Sequence, residues 1–487
     1  MRLTQLCTEA GLTDAAVTGD AEVGRVVIDS RNVREGDCFV AVRGTATDGH
    51  RYVVPAVAAG CAAVVCEDPT AVPPGIPFAV VANVRAATGR LAQAILGWPA
   101  RKLTVIGVTG TNGKTTFTYM VRAVLDAAGH RTAVFGTISY DMIGATRRAF
   151  TTTPSPIELA EMMDQVARNG GTHVAMEVSS HALDQDRTAG IDLAVGVYTN
   201  LTGDHLDYHG DMDRYLAAKR RMFEDLSPSA TAVINRDDRY ADKMAAATRA
   251  KVLWYGLSSA ADVCCGRVVR VDPDGSEFTL RHGGREAPVR LLLAGQHNIA
   301  NALAAAGAAI ALGVPLETIA DALARIQTVP GRLQRVPGDA PFTVLVDYAH
   351  TDDAMRNVLA ALSPVKRNAR LILVFGCGGD RDRTKRPRMA EAAEEYADQI
   401  VLTSDNPRSE DPARIIEEIA AGFSQAGRAK TLIEPDRRKA IEAAIAQARP
   451  GDVVLIAGKG HETYQILGNQ RIHFDDVETA EEILRGR

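Results

Sequence analysis

Nothing in the sequence supplies an excess of positive charge. Lys and Arg number 55 against 60 Asp and Glu, giving a formal net charge of −5 and a pI near 6.2. That balance excludes broad electrostatic binding to nucleic acid or anionic lipid, and leaves room for a local basic pocket. Long apolar runs are also missing. No window approaches the roughly 20 apolar residues of a membrane helix. Residues 1–12 are polar where a signal peptide would carry its apolar core. A cytoplasmic, monomeric protein with no membrane span is expected. The seven cysteines are odd in number, and neither Cys61/Cys66 nor Cys264/Cys265 has zinc-knuckle spacing. They read as reduced, buried small hydrophobes. There is no internal repeat and no low-complexity tail.

What is present is a 487-residue chain with 46% apolar and 24% charged residues. That length exceeds one ordinary core and predicts about three domains. Residues 1–98 hold short β-like runs (38–42, 62–65) between Ala-rich helical stretches, and 97–100, Gly-Trp-Pro-Ala, reads as a linker. Residues 99–329 open with an apolar strand at 103–108, a Gly-rich turn and a helix at 117–128. That order starts a nucleotide-binding parallel sheet. Further strands are expected at 173–178, 193–199 and 232–235, with a late helix at 298–312. Residues 330–487 begin after Pro330-Gly331-Arg332 and alternate strands (343–347, 371–375, 399–403, 453–457) with helices, a Rossmann-like pattern. The fold class is α/β, with a smaller α/β domain at the N-terminus.

The sharpest motif is Gly107-Val108-Thr109-Gly110-Thr111-Asn112-Gly113-Lys114-Thr115-Thr116. Glycines let backbone N–H groups face phosphate oxygens, Lys114 can neutralise the β/γ phosphates, and Thr115 suits Mg²⁺. The strict phosphate-loop spacing wants Gly at 108, so this is a variant loop. By itself it means nucleotide binding, shared by switches, kinases and ligases. Glu177 ends a strand, where a carboxylate suits Mg²⁺ as readily as it suits solvent. His205 is a ligand or a satisfied polar group. Lys219 reads by spacing alone as a surface helix lysine. Asn298 and Asn301 share one helix face, where Asn often caps. Three polar loops follow three strands of the last region: 376–383 with Arg381, 403–408 with Asp405-Asn406-Pro407-Arg408, and 458–462 with Gly458 and Glu462. Arginines suit carboxylates and Glu462 suits an amine, though surface ion pairs would look the same.

Together the phosphate loop, 177–181 (Glu-Val-Ser-Ser-His), the His205 segment and Lys219 resemble the Mur ligase family, over nearly the whole chain. Asp29-Ser30-Arg31, residues 36–41 and Asp48-Gly49-His50 resemble the UDP-binding domain of the branch that adds the third peptide residue. The resemblance implies a ligase of peptidoglycan and cell-wall synthesis, tied to cell shape and division. It implies ATP-dependent addition of meso-diaminopimelate to a UDP-N-acetylmuramoyl dipeptide. It implies that Thr115 and Glu177 hold one Mg²⁺, and that Glu177, His205 and Lys219 surround a second. Lys219 is then carbamylated, because an ammonium would repel the cation. ATP is met by Gly110, Thr111, Asn112, Gly113, Lys114, Thr115, Thr116, Asn298, Arg332 and Asp347. The UDP-substrate is met by Ser30, Thr152, Thr153, Ser179, Gln185 and Arg187. The amino acid is met by Arg381, Asp405, Asn406, Pro407, Arg408, Gly458 and Glu462, since Asp405-Asn406-Pro407-Arg408 resembles the signature of diaminopimelate-adding members. A lysine-adding sister lacks that arginine, and a folate-polyglutamating relative needs no Ser30 domain. Three departures stand out: Asp352 where the family has Pro, Thr384 where it often has Gly, and the less usual Arg388.

Overall fold

The computed structural model describes residues 1–44, 47–272, 275–363 and 369–486. Among the described residues three large sheets follow one another along the chain, each between helical layers, and a small two-stranded one, Tyr464–Leu467 with Gln470–His473, follows the last. The N-terminal sheet orders strands Ala16–Thr18, Phe78–Val80, Ala63–Cys66, Asp37–Val40 and Arg25–Val27, all parallel except the first. Its central strands bury every residue, as a sheet covered on both faces must.

The central sheet has eleven strands. Seven are parallel, with Thr104–Thr109 between Val195–Tyr198 and His173–Glu177. Separate apolar clusters lie on its two faces, one built on helices Lys114–Ala127 and Gln296–Ala311, the other on Pro156–Arg168 and Met212–Glu224. The sequence reading anticipated the parallel part. It did not anticipate the antiparallel additions at the edges, Gly275–His282 and Arg285–Leu291 beyond Val263–Asp272 on one side and Ser139–Asp141 and Thr146–Arg148 on the other. Arg285–Leu291 alternates exposed and buried residues because only one of its faces meets the core. The C-terminal sheet has six strands, with Thr343–Asp347, Val453–Ala457, Leu371–Phe375, Gln399–Leu402 and Thr431–Ile433 parallel in that order.

Parallel strands send all their C-terminal ends to one side, and the motifs collect there. The first domain docks by helix Val84–Ile95 against the second. A Cβ on Gly89 would lie 2.2 Å from the Ala189 carbonyl, so only glycine permits this approach, and Asn83 donates to Asp186 at 3.2 Å. Under the C-terminal loops a fully buried pair, Arg437 and Asp476, makes two bonds of 2.7 and 2.6 Å. Arg437 also donates to the carbonyls of Ala457 and Ser404, tying together two strand ends that carry candidate site loops. Removing one partner of such a pair leaves a buried charge alone. Asp476→Ala is therefore expected to cost about 3–5 kcal/mol in urea unfolding followed at the C-terminal domain. A loss below about 1 kcal/mol would mean the pair is not what holds these ends.

Candidate active site

The phosphate loop is shaped by its neighbours. Strand Thr104–Thr109 leads into it, and Lys114 begins the helix behind Gly113. A Cβ on Gly110 (φ +152°) would sit 1.8 Å from Thr199 Oγ1, and one on Gly113 (φ +89°) 2.4 Å from Asn301 Oδ1. Both positions need glycine for space as well as backbone angle. Segment 199–202, after the adjacent strand, braces the loop. Thr199 donates to the Asn112 carbonyl at 2.6 Å, Asn200 Oδ1 accepts the Asn112 N–H at 3.0 Å, and the Asn200 carbonyl accepts the Thr111 N–H at 2.8 Å. Asn298 and Asn301 are buried at the start of helix Gln296–Ala311 and joined at 3.2 Å, which fits their expected common face.

Glu177 is 1% exposed and accepts three hydrogen bonds of 2.9 Å, from the Thr115 hydroxyl, the Thr137 N–H and the Thr137 hydroxyl. Thr137 in turn lies 3.1 Å from Thr152. Among the described residues no group of three His, Cys, Asp or Glu could cage a metal. A hydroxyl and one carboxylate beside a phosphate loop nevertheless suit Mg²⁺, which keeps water and phosphate oxygens as its other ligands. Thr137 was not singled out from sequence, and its neighbour Gly136 is the only cue: a Cβ there would press on Glu177 at 2.3 Å.

Lys219 is 1% exposed, so the spacing-based picture of a surface lysine is wrong. Its helix, Met212–Glu224, turns this residue inward, and Nζ donates to the Gly110 carbonyl at 2.8 Å. Burial lowers its pKa well below the usual lysine value, and Lys114 lowers it further against a smaller opposing effect of Asp204. Lys114 donates to the carbonyls of Gly110 and Thr111 at 2.8 and 2.9 Å. His205 occupies a left-handed backbone position (φ 54°), with its ring 4.9 Å from that of His181. Desolvation holds its pKa down to about 4, with Asp204 opposing and His181, Lys114 and Lys219 adding to the drop. A neutral imidazole keeps a lone pair for a cation.

The substrate-loop candidates divide. Thr153 donates to the Glu177 carbonyl at 2.9 Å and accepts the Ser179 N–H at 3.0 Å, while Arg187 donates to the Thr153 carbonyl at 2.8 Å and to Gln185 Oε1 at 2.7 Å. Thr153, Ser179, Gln185 and Arg187 thus form one network, and Thr152 is bonded to Thr137 beside it. A capping box between Ser155 and Glu158 fixes the chain just beyond it. Ser30 stands apart in the first domain, opening the turn Ser30–Asn32 capped by Asp29. In the same domain His50 is nearly buried and accepts the N–H groups of Glu67 and Asp68 at 3.3 Å, a structural role.

The third domain reaches the phosphate loop directly. Arg332 donates to Thr115 Oγ1 at 3.2 Å, and its buried Nε has no partner among the described residues, which suits a phosphate oxygen. Asp347 fixes this arm by accepting the N–H groups of Leu333 and Ala349 at 2.7 and 2.8 Å, and burial raises its pKa despite Arg332 and those bonds. Asp353, unremarked as a site residue from sequence, accepts Asn112 Nδ2 at 3.0 Å and the Thr202 hydroxyl at 2.6 Å. The missing Pro is replaced by a cap: Thr351 Oγ1 accepts the Ala354 N–H at 3.2 Å. Two of the unusual residues also meet, Arg388 lying 3.2 Å from Asp352. Thr384 donates to Asp382 at 2.7 Å.

In the third-domain crevice Asn406 donates to Glu462 at 2.8 Å, and the fully buried Lys459 lies 3.4 Å from Glu462 and 4.0 Å from Asp405. Burial, then Asp405, raises the Glu462 pKa against Lys459 and Asn406. Gly458 (φ +110°) leaves only 2.9 Å between a Cβ and Asp405. Arg408 adopts φ 52° after Pro407, and one guanidinium N–H meets the Gly379 carbonyl at 2.6 Å. Arg381 is exposed at the rim and bonds the Asp380 carbonyl. Lys459 was not among the expected residues, although it lies inside the quoted motif.

The arrangement is that of an enzyme whose second and third domains meet over one phosphate loop. The chain belongs to the Mur ligase family. Residues 22–101 match the "Mur ligase family, catalytic domain", 108–309 the "Mur ligase middle domain" and 331–460 the "Mur ligase, glutamate ligase domain". Two relatives, from Solibacter usitatus and Gloeobacter violaceus, are both named UDP-N-acetylmuramoyl-L-alanyl-D-glutamate–2,6-diaminopimelate ligase. The first is 44% identical over 96% of this chain and 94% of its own length, the second 45% over 100% and 99%. A solved structure of that name superposes with a TM-score of 0.69 at 35% identity, covering 95% of both chains. This chain is therefore an ATP-dependent ligase.

Asp353 bridges the second and third domains through two donors, and hydrogen bonds to a charged group contribute about 1.5–3 kcal/mol each. Asp353→Ala is expected to remain folded, to loosen the contact between the two domains in small-angle X-ray scattering, and to lower ATP turnover about tenfold or more. Unchanged scattering with normal turnover would remove Asp353 from the closure.

Proposed function

We propose that the protein joins meso-2,6-diaminopimelate to the D-glutamate of UDP-N-acetylmuramoyl-L-alanyl-D-glutamate, in cytoplasmic peptidoglycan synthesis. It acts as a monomer of three domains, 1–98 for UDP, 99–329 for ATP and 330–487 for the amino acid. The observation that carries this is the Arg332–Thr115 bond, which brings the amino-acid domain onto the nucleotide loop. The near-full-length relatives of that name support the choice of substrates.

The reaction follows from the residues. Lys114, Arg332 and the loop N–H groups hold the triphosphate and offset charge on the moving phosphoryl group. Mg²⁺ at Thr115 and Glu177, with His205 and Lys219 near a second ion, supplies further charge neutralisation when bound. Thr152, Thr153, Ser179, Gln185, Arg187 and Ser30 orient the UDP-substrate so that its glutamate carboxylate attacks the γ-phosphorus and ADP leaves. The amine, having lost a proton, then attacks the acyl carbon. The C–N bond forms, the C–O bond to phosphate breaks, and phosphate departs with that electron pair. Arg408 and Arg381 take the distant carboxylate, and Glu462, with Asp405 and Asn406, takes the ammonium beside it.

Lys219 becomes a carbamate in this reading. A buried lysine with a strongly lowered pKa presents a neutral amine, the form that adds CO₂, and the product gives oxygens to a hard cation. Lys219→Ala should be folded and nearly inactive, and short carboxylic acids should restore part of its turnover. A fully active variant would dismiss the carbamate.

The amino-acid assignment has a sharper test. Lysine lacks the second carboxylate and would leave Arg408 unpaired. Sites built for a polar group reject analogues lacking it by roughly 10⁴-fold. Wild type should use lysine that poorly. Arg408→Ala should lose about 2–5 kcal/mol of diaminopimelate specificity, read as kcat/KM, with little gain for lysine. A wild-type preference for lysine, or an unchanged ratio in the variant, would contradict the substrate assignment.

A further inference from the structure

Arg148 and Tyr464 come from different domains. Arg148 ends the edge strand Thr146–Arg148 of the second domain, and Tyr464 opens the strand Tyr464–Leu467 of the third. The Arg148 guanidinium carbon lies 4.4 Å from the centre of the Tyr464 ring. Arg471 is at 3.8 Å and the Lys459 ammonium at 5.3 Å. A ring face attracts cations electrostatically, and more strongly where water is thinned. Of the three cations around this phenol, Lys459 is also paired with Glu462 at 3.4 Å, and the ring face offers the two arginines a further attraction.

Each partner is wired to a different candidate subsite. The backbone after Tyr464 forms a wall of the amino-acid crevice. Gln465 donates to the Asp405 carbonyl at 2.6 Å, the Ile466 N–H to Asn406 Oδ1 at 3.0 Å, and the Arg408 N–H to the Ile466 carbonyl at 3.1 Å. A displaced Tyr464 would carry Asn406 and Arg408 with it. On the other side, Arg148 lies a few residues before Thr152, which bonds Thr137 and through it Glu177.

We propose that Arg148 and Tyr464 are positioning residues whose contact locks the loop holding the UDP-substrate to the crevice holding the amino acid, and so sets the approach of amine to acyl phosphate. This rests on the function proposed above. The contact acts after phosphoryl transfer, because neither residue touches the phosphate loop.

The two half-reactions separate the possibilities. With ATP and UDP-substrate but no amino acid, hydroxylamine should trap the acyl phosphate equally well in wild type, Arg148→Ala and Tyr464→Leu. With meso-diaminopimelate, each variant should form the amide about three- to fivefold more slowly, the size of one cation–π contact with an exposed guanidinium. Tyr464→Phe keeps the ring face, gives up only the hydroxyl's contact with Glu462, and should lose clearly less than Tyr464→Leu. The double variant should be no worse than either single one, as for two halves of one contact. The inference is overturned if Phe is as poor as Leu, if the two effects multiply, or if trapping falls in parallel with amide formation. A wild type that yields no hydroxamate or ignores diaminopimelate overturns the functional reading as well, and that outcome is distinct from the variant patterns.

Discussion

Glu177 is an acid buried to 1% exposure, and burying a carboxylate without donors would cost several kcal/mol. Its three donors come from two segments, Thr115 on the phosphate loop and Thr137 beyond the neighbouring strand. Thr137 passes the contact on to Thr152. The requirement to satisfy one carboxylate therefore holds the nucleotide loop, the proposed metal position and the substrate loop in fixed relation. The glycines at 110, 113 and 136 follow from the same crowding, since a Cβ at any of them would collide with Thr199, Asn301 or Glu177.

Against that one carboxylate stand the cations Lys114 and Arg332, with Lys219 beside them on the same loop, and burial lowers both lysines. Backbone carbonyls of Gly110 and Thr111 accept their protons, but a carbonyl dipole offsets less charge than an anion. The site is thus electrostatically set for a polyanion, and a nucleoside triphosphate supplies one. The same argument explains why the excess positive charge is local while the chain as a whole is acidic.

Much of this was legible in the sequence because parallel strands of buried α/β sheets are short continuous apolar runs. Thr343–Asp347, Leu371–Phe375 and Val453–Ala457 have the bounds expected, and the phosphate-loop helix starts a turn earlier than the apolar periodicity suggests. The antiparallel edges were not legible, since Val263–Asp272, which leads into one of them, breaks its apolar residues into short pieces with Gly266, Arg267 and Arg270 and leaves Val268 and Val269 exposed. Lys219 shows the limit of periodicity. It is inward-facing because Gly110 offers a carbonyl across 109 residues of chain, a contact that no local pattern encodes. Asp353 and Lys459 were within quoted motifs yet received no role, because their partners, Asn112 and Thr202 for one and Glu462 for the other, become neighbours only after folding.

Among the described residues the second and third domains meet through polar bonds, through the Arg148–Tyr464 ring contact and through Val271 packed against the third domain's core. Arg332 to Thr115 and Asp353 to Asn112 and Thr202 are bonds to groups that water could satisfy in an open form, so their net contribution is modest. A large apolar interface would hold the domains shut and trap product. A closure held by charge-assisted bonds is one that a bound triphosphate could tip, since the buried Arg332 Nε has no partner among the described residues.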